Sequence, residues 1–189
     1  MNELQNFGEK INGAAFAGAH VGGQSRLKGR WNVECRGPDG MLKWKDHIDN
    51  DVVNAGLDHL IDVTLRRATQ TTTWHIGLTD GTPTISSADT ASSHAGWAEV
   101  TAYAETIRQP YLFGAIDTTS HQVSNTLSKA VFTINANATT VGGAFLSATA
   151  SKAGSEHILY AVGAFAGGDK TLSSGDTLSV TAAFSTARA

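Results

Sequence analysis

The residues best equipped for chemistry lie close together: Asp46, His47, Asp49 and Asp51, then Asp58, His59 and Asp62. Carboxylates clustered this way are oxygen ligands suited to a hard cation such as Ca²⁺ or Mg²⁺. Their spacing is not that of an EF-hand loop, and acidic residues at a helix start also answer to the helix dipole alone. The expectation is therefore no metal and no cofactor. Cys35 is the single cysteine. It excludes a thiolate metal cluster and an intrachain disulfide framework, and reads as a small hydrophobe. The chain contains no Gly-x-Ser-x-Gly elbow, no phosphate-cradling glycine loop with a lysine and no His-Glu-x-x-His. His75 alternates with Trp74 and Ile76, so it is expected to face solvent or a neighbouring subunit. His94, His121 and His157 fall in or beside loops with no nucleophile partner in view. Glu99 and Glu105 are the one close carboxylate pair in the second half, the kind of pair a carbohydrate-active enzyme needs. The sequence reads as non-enzymatic, with no catalytic residue to name.

Binding is the better-supported chemistry. Arg26, Lys28 and Arg30 form a small basic cluster after a glycine-rich stretch. Two readings are open: the solvated base of a tail, or a docking arm that meets an acidic surface. Trp31 and Trp44, with Trp74 and Trp97, fall at strand starts or ends. They either seal the ends of a core or serve as rigid interface anchors. Arg26, Lys28, Arg30, Trp31 and Trp44 are thus the candidate partner-contact residues.

The elements that must position these residues follow from periodicity. Residues 1–30 read as a flexible N-terminal arm, because a glycine-rich chain without amphipathic period loses much entropy on ordering. Residues 31–70 read as a β-hairpin plus a helix. Trp31, Val33 and Cys35 alternate with polar neighbours, Gly37-Pro38-Asp39-Gly40 turns the chain, and Leu42 and Trp44 alternate again. Within 50–69, Val53, Leu57, Leu60, Ile61 and Leu65 recur at helical spacing behind Asn50 or Asp51 as cap. Gly56 inside that helix points to close backbone packing. Residues 71–189 change to period two. Strands are expected at 74–78, 97–103, 121–125, 130–136, 140–148, 158–165 and 177–184. Their number and spacing predict an antiparallel β-sandwich or jelly roll. The segment 79–96, some twenty small and polar residues, stands out as a loop needing a reason; it is expected to serve contact and shape, ordered by neighbouring subunits.

Composition bounds the partners. The chain has 189 residues and a net charge of −3, which gives no basis for electrostatic capture of nucleic acid or an anionic membrane. Nine of the 14 Lys/Arg and nine of the 17 Asp/Glu lie in residues 1–70. The second half is nearly uncharged. The first residues lack the charged-then-apolar shape of a signal peptide, so a protein made and kept in a cytoplasm is expected.

Read in order, VVNAGLDHLIDV, WHIGLTDGTPTISSADT, WAEV, VFTINANATTVGGAFL and LYAVGAFAGGDKTLSSGDTLSVTAAF resemble a widespread group of tailed-bacteriophage virion proteins. The resemblance covers about residues 50–184, and the order of GLTDGTPT and GGDKTLSSGDTLSVT carries it. It implies a jelly-roll capsid decoration or cement protein that binds the major capsid protein and neighbouring copies of itself. Such a protein sits on the capsid surface and is assembled in the bacterial host cytoplasm. Similar patterns also occur in tail or fibre components, including receptor-binding ones, which is the alternative. The group brings no catalytic residues to carry over.

Overall fold

The computed structural model describes residues 25–156 and 158–188. The expected arm, in its residues 1–24, lies outside the described residues, as does His157. Twelve strands and one helix follow: β1 (Ser25–Arg36), β2 (Leu42–Val52), α1 (Asn54–Leu65), β3 (Trp74–Asp80), β4 (Ala98–Val100), β5 (Gln109–Tyr111), β6 (Gln122–Ser124), β7 (Ala130–Thr133), β8 (Thr139–Val141), β9 (Gly143–Ser147), β10 (Leu159–Ala164), β11 (Lys170–Leu172) and β12 (Thr177–Arg188). Among the described residues the fold is mainly β and antiparallel, a β-sandwich with one helix. Each of the seven expected strands contains one of these or lies within one; β5 and β11 were not legible.

The first layer is built on β1, which pairs with β12 along its whole length and with β2 on its other side. Its inward residues Trp31, Val33 and Cys35 are fully buried, as are Leu178, Val180 and Ala182 of β12. Outward residues are polar, and Glu34 there meets Lys45 at 2.7 Å and Lys129 at 3.7 Å. One wet face and one dry face give the period-two alternation that the sequence shows.

Two boundaries differ from expectation. Residues 25–30 belong to β1, not to an arm, because each of them has a partner in β12. Residues 50–52 belong to β2, not to a helix cap, and Val53 caps α1 without a side-chain bond. Here β2 passes from one layer to the other: it pairs with β1 as far as Asn50, then with β10 at Asp51 and Val52. Two glycines make room for that crossing. A Cβ on Gly29 would lie 1.7 Å from Asn50 Oδ1, and one on Gly163 would lie 2.2 Å from Ile48 Cγ2. Tertiary pairing therefore overrides the capping chemistry of Asn50 and Asp51. The hairpin also sits in the middle of the strand order, so the change of composition near Gln70 does not mark two separate sheets.

The second layer contains β4, β3, β9 and β10, and every residue from His75 to Thr79 and from Gly143 to Ser147 is buried. Both of its faces are covered. The inner face shares the main core with the first layer, and the outer face carries a second cluster of Val53, Ala91, Phe145, Leu159 and Val162. Helix α1 packs beside β10 through Gly56, where a Cβ would lie 2.3 Å from the Tyr160 carbonyl oxygen. The close approach expected at Gly56 is real.

Candidate functional site

The acidic and histidine residues that opened the sequence reading are dispersed by the fold. Asp46 points inward from β2, accepts from Gly167 N–H at 3.2 Å and pairs with Lys170 at 3.2 Å. Burial opposes its ionisation, but the bonds from His47 N–H, Lys170 and Gly167 N–H outweigh it and hold the carboxyl below its ordinary range. His47 and Asp49 lie 3.8 Å apart on the outer side of the strand. Asp62 pairs with Arg66 along α1 at 2.8 Å, and His59 stands edge-on to Trp74. Among the described residues, no group of three or more His, Cys, Asp or Glu is placed to hold a metal ion.

Among the contact candidates, Trp31 is completely buried and packs edge-on against Phe184. It is a core residue, not an interface anchor, because its position on β1 faces the sandwich interior. Trp44 is half-buried against Phe165, with the Lys170 ammonium 5.8 Å from its ring centre. Lys28 and Arg30 are exposed on the outer side of β1, where Arg30 pairs with Asp49 at 3.7 Å. The side chain of Arg26 lies outside the described residues.

His75 is buried, not facing solvent, because the outer side of its sheet is covered. Its Nδ1 has no hydrogen-bond partner. Burial, and next the charge of Arg108, hold its pKa below the ordinary value, so the ring is neutral near pH 7.

The cover is the long loop of residues 81–97. Thr84 N–H donates to the Gly96 carbonyl at 3.0 Å, and Asn54 N–H donates to the Ser87 carbonyl at 2.8 Å. Asp89 is buried and accepts from both Ser86 N–H and Trp97 Nε1, each at 3.2 Å. Trp97 in turn packs on Phe145 and stacks on His94. The loop is thus ordered by its own chain, through its fit to the sheet, and not by neighbouring subunits as expected.

Beside it lies a buried ionic feature that sequence reasoning missed. Arg108, the only cation between Arg67 and Lys129, makes a two-pronged pair with Glu99 at 2.8 Å on each prong, and both side chains are over nine-tenths buried. Its remaining donors reach Ser147 Oγ, the Thr149 carbonyl and the Gly154 carbonyl. Glu99 also accepts from Ala153 N–H at 2.6 Å. With all five guanidinium N–H groups engaged, Arg108 is a strut tying β4, the end of β9 and the 148–158 loop together, and nothing is left to grip a ligand. Its isolation in an almost uncharged stretch was the available signal. Glu99 is not paired with Glu105, which instead accepts from Thr133 N–H.

The surface left open is apolar. A groove of about 700 Å³ runs between α1, the 112–122 segment and the end of the sandwich interior. Its floor is Trp74, Tyr111, Leu146, Tyr160 and Phe184, so it opens directly onto the main core. Burial pushes the Tyr111 and Tyr160 hydroxyls upward in pKa, which keeps both neutral. Among the described residues, no Asp, Glu, Lys or Arg lines it. Leu60 and Val63 of α1 form one wall, and Phe113 and Ile116 the other. Beyond the wall, Leu57, Ile61 and Leu65 form an i, i+4, i+8 row facing outward, with Leu65 78% and Ile61 51% exposed. Ile116 across the groove is 68% exposed. The helix therefore packs with half of its apolar stripe and presents the other half to solvent. Compared with protein-family models, curated proteins and solved structures, the chain matches none of them.

Proposed function

We propose that this protein is a non-enzymatic structural component of a tailed-bacteriophage virion, a decoration or cement protein that binds the major capsid protein and neighbouring copies of itself. The observation that carries a contact role is the outward apolar row Leu57, Ile61 and Leu65, facing solvent beside exposed Leu112, Phe113 and Ile116. Exposed apolar surface of this extent on one side of a small domain marks an interaction site. Two of the carboxylates that sequence reading singled out are meanwhile engaged within the chain, Asp46 with Lys170 and Glu99 with Arg108. The virion assignment itself rests on the motif order from Val52 to Phe184.

The contact mechanism is burial of this row against a neighbour. A stable interface covers on the order of 1,200–2,000 Å² in total, so the helix row needs the groove walls beside it. Loop 81–97 is already committed to the sheet, and residues 25–30 to β1; a docking arm in this chain is confined to residues 1–24. The experiment is to label the protein in purified virions and image the label. Many copies spread over the head support the reading. Label confined to the tail overturns it in favour of a tail or fibre component.

A further inference from the structure

The outer face of the first layer carries charge that the fold only partly balances. Lys28, Arg30, Glu34 and Arg36 of β1 alternate with buried residues and so share the wet side, beside Lys45 and Asp49 of β2. Glu34 draws in three cations at once: Lys45 at 2.7 Å, Lys129 at 3.7 Å and Arg36 at 3.8 Å. Arg30 meets Asp49 at 3.7 Å, and Lys28 is exposed. Five cations thus stand with two carboxylates, and one carboxylate cannot neutralise three neighbours. The face carries +3 while the whole chain carries −3, so all other residues together carry −6. Among the described residues, Asp58, Asp80, Asp117 and Asp169 are exposed carboxylates outside this face.

We propose that this basic sheet face is a second docking surface and that it receives the acidic surface of another copy of the same chain. The pattern of charge selects that occupant. Glu34 and Asp49 stand among the cations, where they repel a continuous run of phosphates. A protein surface instead sets its carboxylates opposite the cations and leaves the two anions unopposed. The cations are also held in position, because β1 is paired on both sides from Gly29 to Arg36. Docking therefore orders few groups that are not already ordered. The contact is heterologous, since the basic face meets a different part of its neighbour. Each exposed ion pair adds at most about fivefold to the affinity, so association is weak in solution, is screened by salt and tightens where copies are held side by side. This is the copy-to-copy contact of the reading above, given a surface and a chemistry. Its failure in the free protein leaves the shell contact of the helix row untouched.

The test is analytical ultracentrifugation of the full chain, at protein concentrations up to about 0.5 mM and at about 0.02 M and about 0.5 M salt. The wild type is expected to associate at low salt and to run as a monomer at high salt. Lys28→Glu with Lys129→Glu is expected to weaken the low-salt association by at least about tenfold, as opposed like charges do. Arg66→Glu with Arg67→Glu changes the net charge equally but away from the face, and is expected to keep the wild-type association. All four positions are exposed, so denaturation midpoints close to the wild type are expected for both pairs. A wild type that stays monomeric at low salt overturns the proposal, and retention of single-stranded DNA by that monomer assigns the face to a nucleic acid instead. Equal loss in the two charge-reversed pairs also overturns it, because net charge alone then sets the association. Association that survives high salt and is lost in Ile61→Ser overturns it as well, since the apolar helix row then joins the copies.

Discussion

The two sides of the second layer solve the same problem differently. On the outer side, β3, β9 and β10 present Phe145, Leu159 and Val162, and loop 81–97 covers them with Ala91, Ile85 and Trp97. On the inner side, the same strands help build the main core, but its end at Trp74, Tyr111 and Tyr160 stays open as the groove. The first surface is closed by sequence-adjacent chain held by Asp89, and the Arg108–Glu99 pair beside it ties β4 to the 147–154 segment. The second is bounded by α1 and the 112–122 segment, neither of which folds across it. A surface closed by the chain's own buried hydrogen bonds is architecture, whereas an open apolar floor marks a place where a partner can dock.

The sharpest way to break the comparison is to remove the strut. Arg108→Ala leaves the Glu99 carboxylate buried without its cation, and such a change costs about 3–5 kcal/mol. A denaturant titration should show the loss as a lower midpoint, and Glu99→Ala should cost nearly as much. The double variant Arg108→Met, Glu99→Leu should recover much of it, since a matched apolar pair avoids the stranded charge. If either single variant costs less than about 1 kcal/mol, this buried pair is not what ties β4 to the 147–154 segment. In the same assay Gly56→Ala separates local from tertiary control. Helix propensity alone predicts a gain of about 1 kcal/mol. The Tyr160 carbonyl 2.3 Å from the new Cβ predicts instead a loss of about 1–3 kcal/mol, the usual cost of overpacking. A net gain would mean that α1 is free to move off β10 and that the groove wall is loose.

That contrast between local and tertiary control also explains what the sequence made legible. Trp31, Val33 and Cys35 alternate because β1 has one wet face, and the turn at 37–40 closes with Gly37 N–H donating to the Met41 carbonyl and Gly40 at φ +77°. The seven strands of the second half stood out by alternation and by their turn residues, although β3 and β9 are covered on both faces. The layer crossing at Asn50 did not, because its cause lies in Gly29 and Gly163, distant in sequence. The run from 140 to 148 reads as one strand, yet it is split at Gly142 into β8 and β9. There the chain passes beside Gly81, whose carbonyl carbon would stand 2.0 Å from an added Cβ. Of the site, Leu57, Ile61 and Leu65 were visible as an apolar stripe. Periodicity does not say which half of a stripe is covered, so the exposed row waited for the structure. Arg108 and Glu99 meet across nine residues of loop and strand, and no local pattern joins them.

A smaller effect probes the covered face by pH. His75 has a folded-state pKa below its unfolded value, chiefly because burial disfavours the charged ring. The native state therefore binds fewer protons than the unfolded state once pH drops under the unfolded value of about 6.5. The stability from this group is fully present above that pH and is lost as pH falls through the folded pKa. A denaturation midpoint measured at pH 7 and at pH 5 should fall more for the wild type than for His75→Gln. Equal slopes in the two proteins would mean that acid reaches the ring without opening the cover.

The smallest stability effect belongs to the open side, and its smallness is the point. Leu57, Ile61 and Leu65 make their row on solvent, so Ile61→Lys and Leu65→Lys should each change the stability of the isolated protein by no more than about 0.5 kcal/mol. The same changes placed in the outer cluster, at Leu159 or Val162, would strand a charge in a dry site and unfold the domain. A pair of substitutions alike in chemistry thus reports opposite contexts on the two sides of one layer. Attachment to the shell should behave in the reverse sense. Ile61→Lys with Leu65→Lys should weaken it strongly, because a lysine buried at an interface centre must be dehydrated without a partner. Co-sedimentation with purified capsids measures that loss directly. If the double variant binds as well as the wild type, the row lies outside the contact; if it destabilises the free protein by more than about 1.5 kcal/mol, the row is already covered before assembly.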